Sequence, residues 1–434
     1  MTRLTNVPSF VAEYYIRDAS SFVLPMNSIG TAAAGPTLVA HPAFMSKPAV
    51  VIYTSHILYP SETFIQAQAE ALRDFAPYYV GTRRVPGLAV PDERTVVLNR
   101  DFLGGLREIP FKLWGFSPYL RRRLRALRPT LLHAHFGPDG LRVLPLARSL
   151  DLPLLVTFHG FDATVTTEYA LRSFYSHRVY ARRKDVLKRE AARFIAVSNF
   201  IKEKLLAQGF PAEKVQVHYI GVDTQRFQAD PLVMREPLVL FVGRLVETKG
   251  CEYLIRAMAR VQADQPKYKL VIVGDGPLRA NLEKLAAAAL RNYEFIGVQP
   301  PEKVRAWMNR ARVFCGPSLV AESGAEEAFG IVFAEAQAMG LPVVSFATGG
   351  VPEAVAHGET GFLAAEKDTD GLAAYICRLL TDAGLWQKFS DAGQKRMRDH
   401  FDLRKQTAKL EQIYHEVAGN GLLPGPPATR RPGP

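Results

Sequence analysis

The chain has 434 residues, of which 48% are hydrophobic and 22% are charged, and its net charge is +12. This composition excludes a fibrous repeat and an extensively disordered chain, and the length suits two α/β domains. The three cysteines are widely spaced, form no metal-ligand pattern and indicate a reducing compartment, and no apolar run reaches the roughly 18 residues of a transmembrane helix.

The predicted elements begin after residues 1–45, which show no period and are expected to form a poorly structured leader. From Ala49 onward, apolar strands alternate with helical stretches, which is the pattern of parallel βαβ units. Residues 46–225 are therefore expected to form one Rossmann-like domain. In its first helix, Thr63 and Gln66 fit a capping box. The predicted strands are Ala49–Ser55, Leu131–His135, Leu154–Phe158, Phe194–Val197 and Val215–Ile220, and the helices include Ser61–Phe75, Tyr180–Ala192 and Asn199–Ala207.

A second alternation predicts another Rossmann-like domain over residues 226–390. Its strands are Leu238–Val242, Leu270–Val273, Tyr293–Phe295, Val313–Cys315 and Pro342–Ser345. Residues 391–418 are predicted to be helical with a break near His400, and the tail 419–434, rich in Gly and Pro, is predicted to be disordered. Doubly wound sheets bind ligands outside the carboxyl ends of their strands, so we expect the functional site in a cleft between the two domains.

The most specific motif is Glu326–Glu335, with the sequence E-E-A-F-G-I-V-F-A-E. Phe329 and Gly330 open a predicted helix, whose free amides and positive dipole end suit a phosphate. Glu327 lies just before this terminus and Glu335 lies about a turn and a half into the helix, so the two carboxylates can reach different parts of one long ligand. Alternatively, Glu327 is only a capping carboxylate and Glu335 only a solvated helix residue.

Three more glycine-bearing loops follow predicted strands of the second domain. In the first loop, Gly243 allows close backbone approach, and Arg244 and Lys249 supply two cations for a diphosphate, although a solvated turn with surface charges is the alternative. The other two loops are Gly274-Asp275-Gly276-Pro277 and Thr348-Gly349-Gly350-Val351-Pro352-Glu353. Four such loops at the strand ends of one domain are hard to attribute to chance.

Together these motifs resemble those of glycosyltransferase family 4, a group of retaining enzymes with the GT-B fold. The resemblance rests on the glutamate pair, on the G-R-L-V-E-T-K-G loop and on the G-G-V-P-E segment, and it covers about Ala49 to Ala418. It implies an α/β protein with two Rossmann-like doubly wound domains facing a central cleft, and a C-terminal helix that returns to the first domain. The first domain would bind the acceptor and the second the nucleotide-sugar donor.

Three first-domain segments resemble enzymes that build bacterial exopolysaccharides of the colanic acid or amylovoran type. They are Y-P-S-E-T-F-I at 59–65, H-A-H-F-G-P at 133–138 and T-F-H-G-F-D at 157–162. The resemblance implies transfer of a hexose from a UDP- or GDP-sugar to a lipid-linked saccharide, with the anomeric configuration retained. Alternatively, His133, His135 and His159 are polar loop residues bonded to the backbone.

The resemblance also assigns roles to individual residues. Arg244 and Lys249 would neutralise the leaving diphosphate, and Glu327 would bond hydroxyls of the transferred sugar. Glu335 would bond the ribose, and His159 the donor sugar near the reacting carbon. The remaining candidate nucleotide-binding residues are Phe329, Gly330, Ile331, Gly243, Gly274 and Asp275.

No metal or other cofactor is expected, because cations and a helix dipole would stabilise the leaving diphosphate. Two other classes stay open: a different GT-B enzyme, such as a sucrose-type synthase or a sugar-nucleotide epimerase, and a non-catalytic protein that binds sugar nucleotides. An oxidoreductase is disfavoured, because no G-x-G-x-x-G with a downstream acid follows a predicted strand. No nucleic-acid partner is expected, because zinc-finger, RRM-type and basic-zipper patterns are absent from the sequence.

The positive charge lies mainly in the first half of the chain. Residues 1–230 carry 29 Lys/Arg against 19 Asp/Glu, a balance of +10, whereas the rest carry 25 against 23, a balance of +2. Trp114 and Phe116 precede an arginine cluster, so we expect the first domain to bind an anionic surface, at the inner face of the cell membrane. Alternatively, both rings are core and the arginines are solvated. The clusters are Arg121, Arg122, Arg123, Arg125 and Arg128, and then Arg182, Arg183, Lys184, Lys188 and Arg189.

Overall fold

Two parallel β-sheets organise the chain. The structure, a computed structural model, describes residues 47–100 and 104–420. The leader expected at residues 1–45 and most of the tail expected at 419–434 lie outside the described residues. Within the described ranges, no helix has both the length and the apolar character needed to span a membrane.

The first sheet contains eight strands. They are β1 (Ala49–Tyr53), β2 (His56–Ile57), β3 (Ala76–Arg84), β4 (Thr95–Asn99), β5 (Leu131–His135), β6 (Leu154–Phe158), β7 (Arg193–Ala196) and β8 (Val215–Val217). The order is β2-β3-β1-β5-β6-β7-β8, with β4 also paired to β3, and every pair is parallel. Strands β1, β5 and β6 bury all their residues, as expected for a parallel sheet covered on both faces.

Helices connect these strands and cover the sheet. They are α1 (Thr63–Glu70), α2 (Gly104–Trp114), α3 (Pro118–Leu127), α4 (Gly137–Ser149), α5 (Phe161–Thr164), α6 (Thr167–Arg172), α7 (Tyr175–Glu190) and α8 (Asn199–Ala207). Helix α4 packs on β5, β6 and α7 and begins directly after the end of β5. Because β1 pairs with β3 on one side and β5 on the other, the chain reverses its direction of winding there and leaves a crevice at the carboxyl ends.

The start of the first domain differs from the sequence expectation. Helix α1 ends at Glu70 rather than at Phe75, because the chain turns there into β3, a strand that the sequence analysis does not predict. The predicted capping box is wrong: no side chain caps α1, and the Gln66 amide donates instead to the carbonyl oxygen of Ala89. Glu62, the N-cap residue, accepts a hydrogen bond from the backbone N–H of Tyr59 at 2.9 Å.

The second sheet contains six parallel strands in the order β11-β10-β9-β12-β13-β14, the arrangement of a Rossmann domain. The strands are β9 (Leu238–Val242), β10 (Lys269–Val273), β11 (Tyr293–Gly297), β12 (Val313–Cys315), β13 (Val343–Phe346) and β14 (Gly361–Ala364). The helices are α9 (Cys251–Asp264), α10 (Arg279–Ala289), α11 (Pro301–Arg310), α12 (Ile331–Ala338), α13 (Val351–Ala354), α14 (Thr369–Thr381), α15 (Ala383–His400) and α16 (Leu403–Asn420). The two sheets confirm the predicted pair of doubly wound domains.

Helix α16 returns to the first domain, as predicted. The Tyr414 hydroxyl lies 2.7 Å from Nδ1 of His133 on β5. Glu411 accepts two backbone N–H groups from the turn between α1 and β3, both at 2.6 Å. The helix ends at Asn420, so Gly419 and Asn420, which the sequence analysis assigns to the tail, are helical.

Candidate active site

The loops after β9, β10, β12 and β13 are bonded to one another and form a continuous edge of the second sheet. The N–H of Leu245 donates to the carbonyl oxygen of Asp275 at 2.9 Å, and that of Leu319 donates to Thr248 at 3.0 Å. The N–H of Gly350 bonds the loop after β13 to the loop after β12. All four glycine-bearing motifs therefore lie side by side at the carboxyl ends of the strands.

Two of these glycines allow backbones to approach where no side chain fits. Gly274 has φ +133°, and an added Cβ would lie 1.9 Å from the carbonyl oxygen of Gly243. A Cβ at Gly350 would lie 1.9 Å from the carbonyl oxygen of Ala328. The Asp275 carboxylate accepts from Arg279 at 3.2 Å and from the N–H of Gly276, so it braces its own loop.

Lys249 and Glu327 form an ion pair within this edge. Their side chains are 25% and 13% exposed, and the Ser318 hydroxyl also donates to Glu327, at 3.3 Å. Arg244 is exposed and has no ion-pair partner among residues 47–100 and 104–420. The edge thus presents a fixed ammonium, a fixed carboxylate and a guanidinium available to an anion.

Helix α12 begins beside the ion pair. Gly330 is its N-cap in the left-handed conformation, with φ +80°, and no side chain caps the helix in the described structure. The Phe329 side chain is buried against Tyr219 and Phe401, so this residue can serve a ligand through its backbone only. Ile331, the first helical residue, is half-buried. The amides at this terminus suit a phosphate group.

Glu335 lies on the first turns of α12. Burial raises the pKa of its carboxyl to about 7, and the positive charge of Arg226 opposes this shift. Arg226 belongs to the segment that joins the two domains. A carboxyl that exchanges its proton near neutrality can accept hydrogen bonds from hydroxyls when it is ionised.

His159 follows β6 at the facing edge of the first domain. Its Nε2 lies 2.9 Å from Nδ1 of His135, and its Nδ1 is buried without a hydrogen-bond partner in the described part of the chain. Burial lowers the pKa of His159 to about 3, so the ring is neutral at physiological pH. His133 and His135 are buried residues of β5 rather than loop residues, and His133 bonds to the side chains of Tyr414 and Thr157.

Asp162 fixes the backbone around His159. One carboxylate oxygen accepts the N–H groups of His159 and Gly160, at 3.1 and 3.0 Å. The other oxygen accepts the N–H of Gly137 at 2.9 Å, which joins the loops after β5 and β6. The sequence analysis gave Asp162 no role, although its place three residues after His159 is that of a local side-chain cap.

The two edges meet across the domain boundary. A Cβ at Gly160 would lie 3.1 Å from the Cβ of Ala328, so the residues next to His159 and Glu327 are in contact. The Ser198 hydroxyl donates to the carbonyl oxygen of Ala328 at 2.6 Å. Lys204 and Glu326 form an ion pair at 2.6 Å. The structure therefore brings the loop that carries His159 against the loop that carries Glu327.

Glu353, at the end of the G-G-V-P-E segment, also reaches the first domain. Its carboxylate accepts the N–H groups of Asn199 and Phe200, at 2.9 and 2.8 Å, at the start of α8. It also accepts the Tyr219 hydroxyl at 2.6 Å. The sequence analysis quoted Glu353 without a role, because a partner in another domain leaves no local pattern.

The sequence contains a D-x-D triplet, Asp368-Thr369-Asp370, whose two carboxylates are of the kind that bind a divalent cation, and the expectation that no metal is needed did not consider it. In the structure Asp368 caps α14 by accepting the N–H of Gly371 at 2.8 Å, and Asp370 pairs with Arg260. Across the described ranges, no group of three or more His, Cys, Asp or Glu side chains could hold a metal ion.

Comparison with known proteins assigns the family. The model described as Glycosyltransferase Family 4 matches residues 61–226, and that described as Glycosyl transferases group 1 matches residues 223–396. Glycogen synthase of Mycobacterium tuberculosis is 30% identical over 298 residues, which are 67% of this chain and 69% of that protein. The chain belongs to glycosyltransferase family 4. The predicted family is thus confirmed.

Other glycosyltransferases match shorter stretches of this chain. The amylovoran biosynthesis glycosyltransferase AmsK of Erwinia amylovora is 31% identical over 253 residues, 56% of this chain. A GDP-mannose-dependent phosphatidylinositol monomannoside mannosyltransferase of Mycolicibacterium smegmatis is 32% identical over 230 residues, 50% of this chain. The chain spans about 60% of the length of each. Anabaena HepE, solved with UDP and glucose, has a TM-score of 0.69 at 20% identity, covers 85% of this chain and is itself covered completely, which confirms the GT-B fold.

Proposed function

We propose that this family 4 glycosyltransferase moves a hexose from a UDP- or GDP-sugar to a lipid-linked saccharide, in exopolysaccharide or cell-surface polysaccharide biosynthesis at the cytoplasmic face of the membrane. The proposal rests on the contact between Gly160 and Ala328. These residues are so close that a Cβ added to Gly160 would lie 3.1 Å from the Cβ of Ala328. This contact joins the neighbours of His159 and Glu327, and it supports a site in which one sugar contacts both side chains.

The chemistry follows from the charges at the cleft. The bond between the anomeric carbon and the diphosphate oxygen breaks with its electron pair left on the diphosphate, a bond from an acceptor hydroxyl oxygen to that carbon forms in its place, and the hydroxyl proton passes to the departing diphosphate; the transition state is oxocarbenium-like. Arg244, Lys249 and the amides at the start of α12 oppose the charge that develops on the diphosphate. Glu327 bonds sugar hydroxyls and Glu335 bonds the ribose. These groups supply the stabilisation without a metal, so we expect transfer to continue in EDTA.

The relatives support the substrate classes. AmsK is named for amylovoran biosynthesis, the mannosyltransferase is named for GDP-mannose and a phosphatidylinositol acceptor, and HepE binds UDP and glucose. Retention of configuration is proposed from the resemblance stated above, and the linkage formed from an α-linked donor is accordingly α.

Nucleotide-sugar turnover tests the proposal. We expect purified protein with a panel of UDP- and GDP-sugars and an extract of lipid-linked saccharides to release nucleoside diphosphate and to label the lipid fraction, with an α linkage by proton NMR. A water-soluble disaccharide product would indicate a sucrose-type synthase, and a changed sugar released without an acceptor would indicate an epimerase. Binding of a donor without any turnover would leave only the non-catalytic alternative.

A further inference from the structure

Helix α2 and the turn after it carry large apolar side chains on the protein surface. Five of them are between 42% and 67% exposed, and we call them the apolar ridge: Leu106, Ile109, Leu113, Trp114 and Phe116. Leu106, Ile109 and Leu113 follow the spacing of one helix face. The alternative in which Trp114 and Phe116 belong to the core is wrong, because Phe111 fills the core there. Exposed apolar residues clustered within eleven positions mark an interaction surface.

An arginine-lined cavity adjoins the ridge at the start of α3. It has a volume of about 280 Å³ and is lined by Phe116, Pro118, Arg121, Arg122 and Arg125. Its lining contains three guanidinium groups and no carboxylate. The Nε of Arg121 is buried without a hydrogen-bond partner among the described residues, and its Nη2 has only a long contact of 3.4 Å with the Ser149 carbonyl oxygen. We call this cavity the arginine pocket.

The second basic cluster, on α7, is different. Lys184 bonds to the side chain of Gln208 at 2.8 Å, and Lys188 pairs with Asp185 at 2.7 Å. Arg182 and Arg183 are exposed, and no exposed large hydrophobic residue lies within α7 after Tyr175 in the described structure. This cluster has the features of a solvated helix face. The anionic-surface binding expected from the sequence is therefore assigned to α2 and α3 alone.

We propose that the apolar ridge and the arginine pocket dock the first domain on an anionic bilayer, with the ridge inserted at the headgroup boundary and the pocket around the phosphate of an acidic lipid. Exposed aromatic rings beside arginines fit that boundary, where one side is apolar and the other is anionic. Guanidinium groups bind phosphate oxygens in bidentate geometry, and the net negative charge of an acidic headgroup adds an attraction that a zwitterionic headgroup lacks. The inference rests on the proposed function only in that a lipid-linked acceptor would lie at the same surface.

Vesicle binding of the full chain tests the charge component. We expect cosedimentation with vesicles of phosphatidylcholine and phosphatidylglycerol, weaker binding at high salt and none to phosphatidylcholine alone. Each basic residue near such a surface contributes about fivefold in affinity, so Arg122→Glu/Arg125→Glu is expected to weaken binding by at least about 25-fold. The matched control is Arg182→Glu/Arg183→Glu, which makes the same charge change on exposed arginines of α7 and is expected to keep most of the binding. Equal loss in both variants would overturn the proposal.

Trp114 reports on insertion. The other two tryptophans, Trp307 and Trp386, lie in the second-domain helices and contact arginine side chains, so lipid quenchers are expected to act on Trp114. Brominated phosphatidylglycerol is expected to quench the wild-type fluorescence, and Trp114→Phe to remove the quenching while binding persists. Binding without quenching would overturn the insertion. Shielding of Trp114 from acrylamide before vesicles are added would also overturn it, because another part of the chain would then cover the ridge.

These measurements need neither donor nor acceptor. A protein that releases nucleoside diphosphate but ignores anionic vesicles would overturn the docking surface and leave the transferase proposal standing. A protein that binds vesicles through the ridge but turns over no donor would support the docking surface and overturn the transferase proposal. Binding of soluble glycerol phosphate with no binding to vesicles would assign the arginine pocket to a soluble phosphate and would also overturn the bilayer proposal.

Discussion

The ammonium of Lys249 is paired with the carboxylate of Glu327, although the two residues belong to different loops of the second sheet. The pair holds the cation on the loop after β9 beside the loop that leads into α12. Ser318 adds a second donor to Glu327 at 3.3 Å. Each partner therefore fixes the other, and the loss of either one changes two of the groups that would contact a donor.

Lys249→Ala and Glu327→Ala are each expected to lower kcat on the order of 10²–10³-fold, because both remove charge placed for the transition state. Some loss of thermal stability is expected, because the pair is mostly buried and each variant leaves one charge without its partner, but both variants are expected to stay folded. Arg256→Ala is the control: Arg256 pairs with Glu252 on α9, and both of those side chains are exposed. Near wild-type turnover in both site variants would contradict the assignment.

Glu335 is expected to release protons when nucleotide binds. Its pKa of about 7 leaves roughly half of the carboxyls protonated at pH 7, and ribose hydroxyls that donate to the carboxylate favour the ionised form. Calorimetric titration with UDP or GDP in buffers of different ionisation enthalpy is expected to show release of up to about half a proton at pH 7. Glu335→Gln is expected to bind more weakly and to release none.

The same carboxyl affects stability with a definite sign. Because its pKa is raised on folding, its favourable contribution is complete below the unfolded pKa and is lost as the pH rises through about 7. Glu335→Gln imitates the protonated form. We therefore expect its unfolding temperature, relative to that of the wild type, to be higher at pH 8 than at pH 5.

The sequence predicts those features that local patterns encode. The glutamate pair and the loop from Gly243 to Gly250 are contiguous motifs, so the family and the candidate residues Lys249 and Glu327 could be predicted from the sequence, whereas the ion pair between these two residues could not. Strand β3 was not predicted because its apolar run is short: Pro77 lies near its start, and the strand ends in a glycine, a threonine and two arginines. The role of Glu353 depends on a partner about 150 residues away, and no local spacing carries that information.

His135 is expected to act as a positioning residue for His159. The 2.9 Å contact between their rings selects one tautomer of the neutral His159 ring and its orientation. His135→Phe is expected to lower kcat about tenfold, while the affinity for nucleoside diphosphate alone stays near that of the wild type. Side-chain ¹⁵N spectra provide the readout: one tautomer for wild-type His159, and a mixture in the variant.

A control separates this effect from general damage to the fold. His400 is exposed at the end of α15, and His400→Phe is expected to leave kcat and the His159 signals unchanged. Because the pKa of His159 is about 3, its ring is also expected to show no titration between pH 5 and 8. A His159 titration midpoint near 6.5 would refute this account of the histidine pair.

Glu353 is expected to hold the two domains together. Its carboxylate accepts two backbone N–H groups at the start of α8, a position where a negative side chain typically contributes about 0.5–2 kcal/mol. Glu353→Gln weakens that cap and the bond from Tyr219, so an arrangement in which the two domains have moved apart should gain population by about 3- to 30-fold.

Spin labels on α8 and α14, away from the cleft, would report this separation as a longer interdomain distance. The matched control is Glu359→Gln, on an exposed turn of the same domain. Since the proposed nucleotide-binding groups all lie in the second domain, nucleotide affinity should stay nearly constant. The kcat/KM for transfer should fall, because separation of the domains moves His159 away from Glu327. An unchanged distance distribution in Glu353→Gln, or an equal fall in nucleotide affinity and turnover, would show that this carboxylate acts within the second domain instead.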